Sequence, residues 1–105
     1  MDITGNKILV QFGMAKAILN FESETSLTFT ITEKEGNAVN TTETVTIKKT
    51  ELRPQLFLVN WQEASGTTVT QVQDYENGKV YSNWTSPAGE FTNLEGTLTR
   101  LQAAG

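Results

Sequence analysis

The chain has no cysteine and no histidine. Without cysteine there can be no disulfide, no thiolate nucleophile and no thiolate-bound metal. Without histidine the Ser-His-Asp and Cys-His arrangements and the usual zinc spheres are excluded. Basic charge is also short, eight lysines and arginines against twelve acids, for a formal net charge of -4. An acidic chain repels a phosphate backbone, and its lysines are scattered apart from Lys48-Lys49, so no nucleic-acid partner is expected. There is no long apolar run. The opening MDITGNKILVQFG lacks a positively charged leader and is too short in apolar residues for a signal peptide or a membrane span. A soluble, cytoplasmic protein without a membrane partner is therefore expected. Gly-rich phosphate loops, EF-hand patterns and metal-ligand clusters are missing too, so no metal and no cofactor is expected. Asn40-Thr41-Thr42 and Asn83-Trp84-Thr85 match the glycosylation pattern only at its chance rate.

What is present is threonine interleaved with Val, Ile, Leu and Phe, the composition of half-buried strands. The alternation predicts strands over Asn6 to Phe12, Ala15 to Glu22, Ser26 to Glu33 and about Thr42 to Lys49. It predicts four more over Gln55 to Glu63, Thr67 to Asp74, Lys79 to Thr85 and about Glu90 to Leu101. Glu35-Gly36-Asn37, Ser65-Gly66, Asn77-Gly78 and Ser86-Pro87-Ala88-Gly89 are the turns between them. Thr50 to Pro54 breaks the pattern, Gly96 is expected to mark a bulge or bend, and Gln102 to Gly105 to fray. Eight strands, short turns and no helical stretch predict an all-β domain over 1-105, an eight-stranded antiparallel up-and-down barrel. Such a barrel is filled by side chains or holds one small ligand.

Residues two apart on a strand share a face, so Phe57, Val59, Trp61 and Glu63 form one row. If the row lines the interior, an indole and a carboxylate meet near one mouth. A carboxylate there would be partly desolvated and its pKa pushed upward, which suits proton exchange. Phe12, Gln71 and Tyr81 complete the candidate ligand-binding set around that row. The plainer readings are a solvated Glu63, a Trp61 that only packs, and Gln71 and Gln73 outside with Val72 turned in. Glycosidase-type chemistry would need a second acid near Glu63, and Asp74 and Glu76 are the nearest in that hairpin. Lys48-Lys49 reads as a solvated edge. Gln55 to Val59 is apolar on both faces, which predicts a covered outer face and a homodimer.

The stretch LVNWQEASGTTVTQVQDYENGKVYSNWTSPAGEFTNLEGTLTRL, with LVQFG near the start, resembles the small MoaF-like proteins. These are calycin-type, lipocalin-like barrels, named for an association with molybdenum-cofactor gene clusters. The resemblance spans nearly the whole chain and implies the same eight-stranded barrel. Trp61-Gln62-Glu63-Ala64-Ser65-Gly66-Thr67-Thr68-Val69 is also similar, more distantly, to the W-T-E-P-T-G-T-D-V signature of bacterial phenolic acid decarboxylases. That similarity implies a catalytic role for Glu63 alone. Val10 and Phe12 stand where those enzymes have two tyrosines, and Asn40 near the place of their arginine. The lipocalin Gly-x-Trp is absent as well, and Arg100 is the candidate for the related barrel-closing role.

Three functions follow as expectations. The first is a barrel that binds a small, partly apolar molecule in its lumen without catalysis. The second is a cofactor-free lyase or isomerase with Glu63 as general acid/base. The third is a side-chain-filled barrel acting as a structural or assembly subunit.

Overall fold

The computed structural model describes residues 3–101. Eight strands form a closed barrel in simple sequence order: β1 (Lys7–Gln11), β2 (Ala15–Phe21), β3 (Ser26–Lys34), β4 (Asn37–Arg53), β5 (Leu56–Gln62), β6 (Thr68–Asp74), β7 (Lys79–Thr85) and β8 (Phe91–Leu101). Every neighbouring pair is antiparallel, including the β1–β8 seam that closes the ring. Closure removes the unpaired edges an open sheet would expose to other chains. No helix among the described residues is long and apolar enough to cross a membrane. The expected fraying of Gln102 to Gly105 lies outside the described residues.

The alternation read from the sequence is the inside–outside alternation of the barrel. Ile8 and Val10, Leu19 and Phe21, Leu27 and Phe29, Val45 and Ile47, and Phe57, Val59 and Trp61 are all buried inward. Threonines occupy the outside, where Thr28 pairs with Thr44 at 2.7 Å and Thr30 with Thr42 at 3.1 Å across β3 and β4. Such cross-strand hydroxyl pairs add to β-branched packing on a solvated face.

The two ends differ. At the base, the segment before β1 folds back so that Gly5 N–H donates to the Phe21 carbonyl at 2.7 Å and Ile3 is fully buried. That plug closes one end with apolar surface. At the mouth lie the connections β1–β2, β3–β4, β5–β6 and β7–β8, and no segment comparable to Ile3 covers them among the described residues.

Several expectations are corrected. β4 runs for 17 residues, not from Thr42 to Lys49 alone. Its first half pairs with β3 and its second half with β5, and a register shift between Glu51 and Arg53 absorbs the irregular sequence there. The turn is confined to Pro54 and Gln55, the latter at φ 67°. Gly96 is not a bulge, since β8 keeps its register against β7 through it. Its hydrogen instead admits β1: a Cβ there would stand 2.0 Å from the Gln11 carbonyl oxygen. Nor is Lys49 a solvated edge residue. Its side chain is 6% exposed and turned inward at the base, where Nζ pairs with Glu24 at 3.3 Å and donates to Thr4 Oγ1 at 3.3 Å. Lys48 is exposed on the outer wall.

Candidate functional site at the barrel mouth

The β5 row ends at Glu63, one residue past the strand, where its N–H donates to the Thr67 carbonyl at 2.8 Å and its own carbonyl accepts from Gly66 at 2.8 Å. Ser65 Oγ donates to Thr67 Oγ1 and accepts from Thr67 N–H, so this five-residue turn is fastened from within. It is also fastened from outside: Glu43 on β4 accepts the Ala64 N–H at 2.7 Å. Glu43 belongs to the inward set of β4, two residues before Val45 and four before Ile47. The alternation along β4 carries that signal, but Glu43 lies outside the hairpin that holds Glu63, Asp74 and Glu76. Asp74 and Glu76 sit at the opposite end, where Asp74 holds the β6–β7 turn through Asn77 and its carboxyl is kept below the usual range mainly by those bonds.

Glu63 is half-buried, and the Trp61 indole N–H donates to its Oε2 at 3.3 Å. Burial pushes its carboxyl above the usual range. The Trp61 bond opposes that, the Glu43 charge adds to it, and Lys34 at the end of β3 opposes it again. Loss of hydration outweighs the local donors, so Glu63 holds a proton to higher pH than a free glutamate.

Around this carboxyl the walls are aromatic. Phe29 stacks on Trp61 with centroids 6.2 Å apart, and Phe12 meets Trp84 edge to face at 6.0 Å. Phe12 and Trp84, together with Ala17, Ile31, Met14 and Thr67, line a hollow of about 210 Å³ with Lys16 and Lys34 at its rim. The hollow continues inward as a narrower floor of about 50 Å³ that reaches Trp61, Val69 and Gln71. Broader depressions on the outer wall, between β6, β7 and β8 and between β4, β5 and β6, run over solvated threonine and asparagine side chains. No group of three acidic side chains placed to hold a metal ion occurs among the described residues.

The residues nominated from the sequence separate clearly. Phe12, Trp61, Glu63 and Gln71 come together at the mouth and floor. Val59 is buried below them, and Phe57 lies at the far end against Tyr75, centroids 5.8 Å apart. Tyr81 is a correction, since it points to the outer wall and is 46% exposed. The inward residues of β7 are Val80, Ser82 and Trp84, and Trp84 takes the aromatic place assigned to the tyrosine. Gln71 and Gln73 are inward and buried while Val72 turns out. Arg100 is exposed at the base, beside Tyr75 and Gln55.

The family model of MoaF-like proteins matches residues 4–99, from the base plug through nearly all of β8. The chain belongs to the MoaF-like family. A comparison with curated proteins found no match. Among solved structures, this MoaF-like chain is similar to one from Burkholderia vietnamiensis titled "a putative beta-lactamase", with a TM-score of 0.86 and 20% identity. The likeness covers 96% of this chain and 97% of that one, and at this identity it speaks for the fold alone. In this MoaF-like barrel the mouth is thus the place where a concave apolar surface, a half-buried acid and the Trp61 indole donor coincide.

Proposed function

We propose that this MoaF-like protein is a binding protein whose barrel mouth takes one small, partly apolar molecule and releases it unchanged. The observation that carries the reading is the hollow of about 210 Å³ walled by Phe12, Trp84 and Ile31, with Glu63 as its one half-buried acid. Concave, mainly apolar sites with a few convergent polar groups are the general form of small-molecule sites. An apolar cavity of about 150 Å³ already accommodates benzene, so this hollow suits a substituted single ring or a small bicycle. Ring stacking on indole supplies affinity, and the Glu63 carboxyl supplies a polar anchor that donates when protonated and accepts when ionised.

The lyase or isomerase alternative rests on one observation, the raised pKa of Glu63. A decarboxylation also requires groups that hold the substrate carboxylate and stabilise developing charge. Val10 is a buried hydrocarbon and Asn40 is exposed, so neither supplies them.

A thermal-shift screen of small aromatic acids, aromatic ketones and pterins, repeated on Ala17→Phe, tests the proposal. Ala17 lines both the hollow and its floor, and a phenyl ring there fills the space. Compounds that raise Tm in the wild type but not in folded Ala17→Phe support binding in the mouth. Equal shifts in both, or none in either, would overturn it. Turnover of a cinnamate-like acid that disappears in a folded Glu63→Gln would replace binding with catalysis.

A further inference from the structure

The inward face of β6 carries an unusual polar row, Gln71, Gln73 and then Tyr75 in the following turn. Gln73 is fully buried and Gln71 is 3% exposed. The three are joined end to end: Tyr75 Oη donates to Gln73 Oε1 at 2.7 Å, and Gln73 Nε2 donates to Gln71 Oε1 at 2.8 Å. The direction of this chain is set at its base. Burial pushes the Tyr75 phenol far above its usual range and keeps it protonated, and its hydroxyl donates to Gln73 Oε1. A phenol that donates fixes Gln73 with its oxygen toward the base and its NH2 toward Gln71. Gln71 accepts with its oxygen, which leaves its NH2 as the end of the chain, on a residue that lines the floor of the mouth hollow.

Beside Gln71, on the neighbouring strand and in direct register, stands Ser82. Ser82 is 4% exposed and belongs to the inward set of β7, and its hydroxyl has no hydrogen-bond partner in the protein. Side chains at directly paired positions on one face lie about 5 Å apart at Cβ, so Gln71, which lines the floor, and Ser82, which stands just outside that lining, occupy one layer of the barrel. That layer is immediately below the Val69–Trp84 pair that walls the hollow. An unmade hydrogen bond in a buried place is costly, and such an exception calls for an explanation.

We propose that Gln71 and Ser82 form a recognition subsite for a neutral carbonyl-type oxygen, that of a ketone, aldehyde, amide or lactam, on the inner end of an aromatic ligand. The inference rests on the reading of the mouth as a ligand site and adds the chemical class and the orientation of the ligand. One carbonyl oxygen has two lone pairs, which match the two donors, Gln71 N–H and Ser82 O–H. A carboxylate does not match. The only titratable side chain lining the floor is Glu63, and a buried anion would lie there without a countercharge. The ligand therefore enters carbonyl first, with its ring between Trp61 and Trp84 and its outer end near Glu63.

The experiment is a ¹H–¹⁵N NMR titration of the full chain with acetophenone, with α-methylstyrene, in which a CH2 replaces the oxygen at the same shape, and with benzoate. Acetophenone is expected to bind about 3- to 10-fold more tightly than α-methylstyrene, the effect of one to two neutral hydrogen bonds, and to shift the Gln71 side-chain NH2 signals. Benzoate is expected to bind weakest. In Ser82→Ala the acetophenone preference shrinks several-fold while α-methylstyrene affinity stays, and the melting temperature of the unliganded protein rises by several degrees because a buried unsatisfied group is gone. A residue with a merely structural bond would lower the melting temperature, and that result would overturn the subsite. Equal affinities for acetophenone and α-methylstyrene would also overturn it while leaving the mouth as a site. Tighter binding of benzoate than of acetophenone would overturn the neutral-oxygen class. No binding of any probe would overturn both this subsite and the proposed function.

Discussion

Gly96→Ala tests how the barrel closes. The added methyl would stand 2.0 Å from the Gln11 carbonyl oxygen, 2.9 Å from its carbon and 3.0 Å from Phe12 Cδ1. Two of these three atoms are backbone, so no side-chain rotation relieves the clash. The Gln11 carbonyl would have to retreat by about 1 Å to reach even the tight end of ordinary contact, near 3.0 Å. That displacement falls at the end of the β1–β8 seam, where Gln11 pairs with Thr97. Hydrogen bonds there would lengthen from the usual ~2.9 Å to ~3.9 Å, beyond useful range. One or two lost bonds cost about 1 kcal/mol each, and overpacking adds about 1–3 kcal/mol. Restricting the unfolded chain returns about 0.5 kcal/mol, leaving a net loss of about 3 kcal/mol. For a domain of this size the melting temperature falls by roughly 15 °C. Urea unfolding followed by tryptophan fluorescence measures the change, with a lower midpoint and an unaltered slope expected. A variant within about 0.5 kcal/mol of the wild type would show that the seam yields freely, and the reasoning would fail.

Glu63→Gln should change the pH dependence of stability. Burial raises the folded carboxyl above its reference value of 4.5, so the folded state keeps the proton to higher pH than the unfolded chain. The contribution of this group is fully present below 4.5 and is lost as pH rises through the folded value. Urea unfolding at pH 4 and pH 8 should therefore show the variant gaining on the wild type as pH rises; a gap independent of pH would contradict the shift. Tyr75→Phe removes the donor to Gln73 Oε1 and leaves a buried acceptor unpaired, a loss of about 1–3 kcal/mol readable as a lower urea midpoint. Leu56 and Leu58 face outward on β5 and are only half-buried, and we expect self-association there, with a strict monomer in micromolar sedimentation velocity as the contrary result.

The barrel was readable in the sequence because closure of a small antiparallel sheet demands strict alternation. The rows Ile8–Val10, Leu27–Phe29 and Phe57–Val59–Trp61 carry that alternation without interruption. Where the reading failed, pairing partners supplied the missing information. Thr50 to Arg53 has no apolar alternation, yet it is strand because β5 offers a ladder beside it. Lys49 looks solvated until the N-terminal segment and Glu24 arrive from elsewhere to surround its ammonium. Tyr81 and Trp84 compete for the interior, and parity along β7 decides for Trp84, which the sequence order alone left open.

The site was legible to the same degree. Trp61 and Glu63 are two apart on one strand, so their shared face follows from local geometry. Glu43 reaches the same turn from β4, and that meeting depends on how far strands are staggered around the barrel. The Gln71–Ser82 layer depends likewise on the β6–β7 register.

The central claim is that a small molecule occupies the mouth. Chemical-shift mapping of a ligand selected in the thermal-shift screen tests it most directly. Perturbations are expected to concentrate on Phe12, Ala17, Ile31, Trp61, Glu63, Gln71 and Trp84. Shifts centred instead on the outer wall around Tyr81, Asn83 and Glu95 would contradict it.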